Sequence, residues 1–378
     1  MTTVSPFCDA EPTTRLRGVY FNPQFVGEDP NYPWLLHYVE TRPRVQQHLR
    51  ELQTTTGMNL VVIFAPVAYA LLDTSRMPSI HSRIGEWGNA TYLDNLVTFI
   101  DDCHEANLQV EIDLVTNTWL PRRLSPKGPL VESGYWPEPD ETPSDEAANW
   151  YQGMIEHVEA RVAHAETIAY WCMMGNPEWG CAEPPLWNQA EHPETMAALE
   201  QFVKNVWPAF RDAGTRPKAA PIMLPIFSKS DYWSTKSAGD RLSAFSNLKK
   251  WIVDDLSMAP DYWVMSSYPF CDPAPDGTKF FERIVAILGP DNARRIVSSD
   301  LKGPGHEKER LDTILSSEDV ASPKLLDWHI QKCLEYEFAG YWVWAYQDTL
   351  TDKTGLRGIN GMWKQELVDV IRAGSEER

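Results

Sequence analysis

Short apolar runs alternate with longer amphipathic segments along the chain. The runs read RGVYFN (17–22), NLVVIFA (59–65), LQVEIDL (108–114) and IAYWCMMG (168–175), then KAAPIMLP (218–225), DYWVMSSY (261–268), RRIVSSD (294–300) and GYWVWAY (340–346). Each is short enough and apolar enough to be a strand. Between them the apolar spacing changes to a helical period. Thr142 is placed to cap a helix whose first residue is Pro143, with Trp150, Met154, Ile155, Val158 and Val162 on one stripe. Ser322 and Pro323 open another, with Leu326, Ile330, Cys333 and Leu334 facing inward and Gly340 as its stop. The segment 193–213 carries Leu199, Phe202, Val203, Val206 and Phe210, with a kink expected at Pro208.

Eight strands alternating with helices predict an α/β fold with parallel strands, and eight is the number that closes a (β/α)8 TIM barrel. Loop lengths argue the same way. Helix-to-strand connections are short (TTTGM, HEAN, AGTRP, GPDNA), whereas strand-to-helix connections are long, as in 66–91, 115–142, 176–192 and 301–320. A barrel that builds its site from the loops after its strands has this asymmetry. No glycine-rich turn follows the first strand, so the nucleotide site of a doubly wound sheet is not expected. The expectation is a single domain over 1–378, with the barrel proper at about 15–374.

Composition narrows the partners. Hydrophobic residues are 43% and charged residues 23% of the chain, a globular balance. A net charge of −19 disfavours nucleic acid and anionic membrane. No apolar window is long enough to span a bilayer, and the N-terminal MTTVSPFCDAEPTTR has neither the basic nor the apolar part of a secretory signal. The six cysteines include no CxxC pair and three sit in apolar periodic segments, as reduced buried thiols would. A cytoplasmic protein is expected, of oligomeric state the sequence does not define.

The polar residues at strand C-termini are the candidates for chemistry: Asn22; Asp113 with Asn117; Asn176 with Glu178; Ser267 with Tyr268; Asp300; and Gln347 with Asp348. Carboxylates after the fourth and seventh strands, Glu178 and Asp300, face one another across a barrel mouth. Two opposed carboxyl groups are what glycosidic cleavage requires, one protonating the leaving oxygen and the other attacking or activating water. With 53 acidic residues, chance placement at strand ends is the competing explanation. In VEIDL, Glu111 and Asp113 share a face opposite Val110, Ile112 and Leu114. If the apolar set meets the helices, both acids point into the barrel, where burial demands a partner such as Arg17 or water.

Sixteen tryptophans bear on the ligand. Trp34, Trp87, Trp119, Trp136, Trp179, Trp187 and Trp233 fall in strand-to-helix loops. There they either offer flat faces to sugar rings or bury the loops' own backbone. Trp150, Trp171, Trp207, Trp251 and Trp328 sit on helices or a strand and are assigned to the core. The nine histidines contain no HExxH or close ligand pair, and His157 and His164 are read as surface or packing residues two turns apart on one helix. No metal site or cofactor is expected.

The strand ends resemble those of the cellulase-like, clan A glycoside hydrolases, retaining enzymes on a (β/α)8 barrel. The resemblance lies in RGVYFN, LQVEIDL, the Asn-Pro-Glu after the fourth strand, SSYPF in the sixth and YWVWAYQD in the eighth, and spans about 15–365. It implies Glu178 as acid/base, Asp300 as nucleophile or base, Asn176 and Tyr268 as orienting groups, and Trp344 beneath the sugar; the strand-end and loop-tryptophan readings add Trp119, Trp179, Asp113 and Asn22 as residues expected to line the site. The substrate implied is a small β-glycoside or oligosaccharide, with no cofactor. The chain departs from that pattern in three places. Pro177 separates Asn176 from Glu178, the second strand lacks a supporting arginine, and the seventh ends in Asp where Glu is expected. Asp is shorter by about 1.5 Å, which shifts a retaining separation of roughly 5–5.5 Å toward the roughly 6.5–9.5 Å of inverting enzymes. Two further readings stay open: a biosynthetic cyclase, lyase or transferase on the same barrel, and a carbohydrate-binding pseudoenzyme.

Overall fold

A computed structural model of the chain describes residues 15–23, 34–64, 72–73, 79–80, 90–114, 120–121, 130–131, 145–174, 193–221, 243–266, 278–302, 323–348 and 355–376. All eight expected strands are present: β1 (Leu16–Tyr20), β2 (Leu60–Phe64), β3 (Gln109–Asp113), β4 (Ile168–Cys172), β5 (Lys218–Ala219), β6 (Trp263–Ser266), β7 (Ile296–Lys302) and β8 (Gly340–Trp344). They form one sheet in the order β6-β7-β8-β1-β2-β3-β4-β5. Every ladder in it is parallel. A parallel bridge between Ala219 and Tyr262 joins the two ends and closes the barrel. The seam is reinforced by Asp261 N–H donating to the Lys218 carbonyl at 2.9 Å and Lys218 N–H donating to the Asp261 carboxylate at 2.8 Å.

A helix follows each strand: α1 (Tyr38–Thr56), α2 (Ala90–Glu105), α3 (Asp145–Glu159), α4 (Pro193–Asp212), α5 (Ser243–Lys249, continued by a π-helical turn at Lys250–Asp255), α6 (Thr278–Leu288), α7 (Pro323–Glu335) and α8 (Gln365–Glu376). Two antiparallel ribbons, Leu72–Asp73 with Ser79–Ile80 and Leu120–Pro121 with Leu130–Val131, lie in the segments after β2 and β3. No helix among the described residues is long and apolar enough to cross a membrane.

Strand alternation divides the buried residues into two layers. Val19, Val61, Ile63, Val110, Ile112 and their equivalents meet the helices in the larger cluster. Leu16, Leu60, Val62, Tyr170, Val264, Val297 and Trp342 fill the barrel. Gly18 makes that filling possible. It pairs with both Leu60 and Trp342, and a Cβ there would lie 2.8 Å from the Leu60 side chain.

Several expectations are corrected. The stripe on α3 continues past the helix: Val162 is buried, but α3 ends at Glu159. His157 and His164 therefore do not share a helix; His164 precedes the 3-10 turn Ala165–Thr167 that leads into β4. Gly340 does not stop α7, which ends at Glu335. Glu337 instead takes a left-handed φ of 55°, and Gly340 is the first residue of β8. Trp34 packs edge-on against Phe21 and Phe99, with ring centroids 5.8 and 5.1 Å away, so it serves the outer core. Trp171, Trp207 and Trp251 are buried as expected, and Trp328 is partly buried against the same cluster. Cys103, Cys172 and Cys333 are buried free thiols.

One buried acid belongs wholly to this outer shell. Asp102 on α2 accepts from Tyr38 Oη at 2.5 Å, from Arg42 Nε and Nη2 at 2.8 Å each, and from Gln46 Nε2 at 2.9 Å. Burial alone would push its carboxyl up, but these donors outweigh burial and hold it below the usual range. The network ties α1 to α2.

Candidate active site

The C-terminal ends of the strands define the mouth. Three aromatic side chains, from adjacent strands, meet there. Trp344, the last residue of β8, stacks on Tyr20, the last of β1, with centroids 4.3 Å apart and planes 6° from parallel. Phe64, the last of β2, lies 4.5 Å from Tyr20 and 6.2 Å from Trp344. All three are partly exposed at the end of an otherwise buried interior. Strand alternation puts them there, because Leu16, Gly18 and Tyr20 share the inward face of β1.

Behind Trp344 the chain turns through a cis Trp344–Ala345 peptide. Asn22 holds the backbone beyond it from both sides. Its Nδ2 donates to the Gln347 carbonyl at 3.1 Å, and its Oδ1 accepts from Gln347 N–H at 3.1 Å. Asp348 accepts from Gly355 N–H and from the Lys364 ammonium, each at 2.9 Å. These contacts fix the rim on which Trp344 sits.

Both β3 acids are fully buried. The larger core cluster contains Val110, Ile112 and Leu114, so Glu111 and Asp113 take the barrel face, as expected. One partner of Glu111 is Tyr170 on β4, whose hydroxyl donates to Oε2. Arg17 is not that partner; its Nη1 donates to the Ser375 carbonyl on α8 at 3.0 Å. Burial first, and the Glu111 charge second, push the Tyr170 phenol well above its ordinary range, so it remains a donor. Asp113 pairs in register with Phe64 on one side and Cys172 on the other. Burial, and then Asp113, likewise raise the Tyr151 phenol.

Asp300 lies on β7 inside a register shift between Ser298 and Leu301. A bulge at a strand end re-aims the residues within it. The Asp300 side chain itself is outside what the structure describes, as are Asn176, Glu178, Trp179, Tyr268 and Trp119. Of the expected site residues, the structure brings Trp344 and Asn22 together at the rim and places Asp113 at the end of β3. The same end of the barrel also holds Tyr20 and Phe64, with Tyr170 on the inward face of β4, all of which follow from strand alternation. Among the described residues, the group of His, Cys, Asp and Glu side chains close enough to share an ion is not at this mouth.

The fold is a closed (β/α)8 barrel, and the solved structures it superposes on include glycoside hydrolases. A GH5_18 protein from Bifidobacterium longum subsp. infantis superposes with a TM-score of 0.60 at 12% identity, covering 96% of this chain and 79% of that one. The exo-β-1,4-mannosidase Op5Man5 from Opitutaceae bacterium strain TAV5 gives 0.58 at 15% identity over 96% and 60% of the two chains. The β-glycosidase of the hyperthermophile Thermosphaera aggregans gives 0.58 at 12% over 96% and 97%. No protein-family model matches the sequence, and no curated protein matches it by sequence. At such identities the likeness is one of fold.

Proposed function

We propose that the chain is a glycosidase that cleaves a small β-glycoside or oligosaccharide with two carboxylates. The observation that carries this reading is the partly exposed Tyr20–Phe64–Trp344 platform at the mouth of a barrel whose fold is shared with glycoside hydrolases. Flat aromatic faces suit the apolar C–H face of a pyranose, and a barrel site at this end is where such chemistry sits. One of the similar structures, from Streptomyces cattleya, is described in complex with Manβ1-4GlcNAc, which favours a short β-linked oligosaccharide as the ligand.

In this reading Glu178 is the general acid/base and Asp300 the nucleophile or general base. Asn176 and Tyr268 orient sugar and carboxylate, Trp344 supports the ring, and Trp119, Trp179, Asp113 and Asn22 complete or support the pocket. The chain acts as one unit in the cytoplasm, on a carbohydrate and without a cofactor. The deciding experiment is turnover of a panel of aryl β-glycosides by Glu178→Gln and Asp300→Asn. Each variant is expected to lose activity by several orders of magnitude while retaining sugar binding. Undiminished turnover in Glu178→Gln would remove that residue from the mechanism. Tight binding without turnover in the unaltered protein would favour a pseudoenzyme.

A further inference from the structure

At the end of the barrel opposite the mouth, three ligand-bearing side chains from two distant segments converge. His104 lies in the last turn of α2, ahead of β3; His164 and Glu166 belong to the turn that leads into β4. Their ligand atoms all lie within 4.8 Å of one another, and all three residues are exposed. The His104 and His164 rings stack with centroids 3.7 Å apart and planes 6° from parallel, and His164 Nδ1 is 3.2 Å from the Glu166 carboxylate.

We propose that His104, His164 and Glu166 form a divalent transition-metal site, with Zn²⁺ as its ion. Two imidazoles and a carboxylate are a Zn²⁺ ligand set, and water takes the fourth position of a tetrahedral site. The scaffold beneath is already tied together in three places. Asp101 Oδ1 on α2 accepts from Ala163 N–H at 3.0 Å, Asp94 on α2 pairs with Arg161, and His104 Nδ1 lies 3.2 Å from the Thr167 hydroxyl. Engaging Nδ1 in that way leaves Nε2 of His104 for an ion, the usual role of such an outer partner. His104 also stands at the C-terminal end of α2, where the helix dipole favours positive charge.

The stacked pose is not yet the metal-bound one. Parallel rings aim their lone pairs side by side, whereas zinc bonds of about 2.0–2.1 Å require them to converge. Rotation about the imidazole χ2 of one exposed ring opens the stack, and that torsion is soft. The bound ion then cross-links α2 to the β4 entry turn, away from the mouth.

Full-length protein treated with chelator and titrated with ZnCl2 by calorimetry is expected to bind one ion per chain and to unfold at a higher temperature. Because both imidazoles are exposed, His104→Ala and His164→Ala keep the fold. Each is expected to weaken binding by roughly 10–100-fold or more, at least the loss typical of an outer partner, while His157→Ala leaves it unchanged. Co²⁺ in place of Zn²⁺ reports the geometry directly, through the strong visible absorption of a four-coordinate ion. Absence of saturable binding, or an isotherm and Co²⁺ spectrum unaltered in the His104→Ala/His164→Ala double variant, overturns the site.

Discussion

Two buried acids, Asp102 in the helical shell and Glu111 inside the barrel, sit on opposite sides of the sheet. Asp102 is saturated: a bidentate arginine, a phenol and an amide occupy its oxygens, and all come from one neighbouring helix. Its ionised form is locked, and its work is to join α1 to α2. Glu111 accepts from a phenol of the adjacent strand and lies on the face that fills the barrel. The contrast separates a carboxylate that joins two helices from one that faces the barrel interior. Their settings distinguish them, since both are buried: Asp102 meets a guanidinium on a neighbouring helix, and Glu111 meets a phenol on a neighbouring strand.

The comparison can be broken or sharpened by mutation. Asp102→Ala should cost most, about 3–5 kcal/mol, because it leaves a guanidinium and a phenol facing a buried gap. Arg42 is itself partly exposed, which pulls the loss toward the lower end. Urea unfolding measures it, and pH adds a second reading. Since the folded carboxyl titrates below its unfolded value, its stabilisation is complete above the ordinary carboxylate range and is lost as pH falls through the lowered value. Asp102→Asn should therefore lose that part of the acid sensitivity. Next in size comes Tyr170→Phe, expected to destabilise by about 1.5–3 kcal/mol, the usual worth of a hydrogen bond to a charged group. An effect as large as that of Asp102→Ala would make Glu111 a structural joint too. Smallest is Glu111→Gln, which keeps an acceptor for the Tyr170 hydroxyl and should change thermal stability by about 1 kcal/mol or less. A larger loss would show that the charge itself is needed in the barrel.

Much of the fold was legible because hydrophobic period and loop length both depend on local sequence. The eight strands, the parallel order and the facing of Val110, Ile112 and Leu114 against the helices all follow from them. Glu111 was legible as inward but its partner was not. Arg17 is close in type and charge, yet alternation sends it outward to Ser375, while Tyr170 reaches Glu111 only through the β3–β4 register with its shift after Val110. The α3 stripe runs on to Val162, and a helix through His164 is the natural extension of it, yet the helix ends at Glu159. A helix period does not record where a chain leaves the helix and keeps burying side chains. The His104–His164 meeting was invisible for a different reason: it joins segments with no shared motif, and only the packing of α2 beside the β4 entry turn creates it. At the mouth, Tyr20 and Phe64 follow from strand alternation, but as aromatic rather than polar strand ends they carry no chemical signal of their own.

Tyr20 covers one face of the Trp344 indole, so no more than one face can meet a ligand. In stereochemical terms the platform has a handedness of approach. In the proposed reading a sugar laid on it would be read from a single side, and an axial hydroxyl pointing down would put an oxygen where a hydrogen otherwise meets the indole and hold the ring off. The epimer with that hydroxyl pointing up would lie flat. A stacked pair of aromatic rings, formed by the last residues of two neighbouring strands, would thereby discriminate between epimers without a hydrogen bond to either.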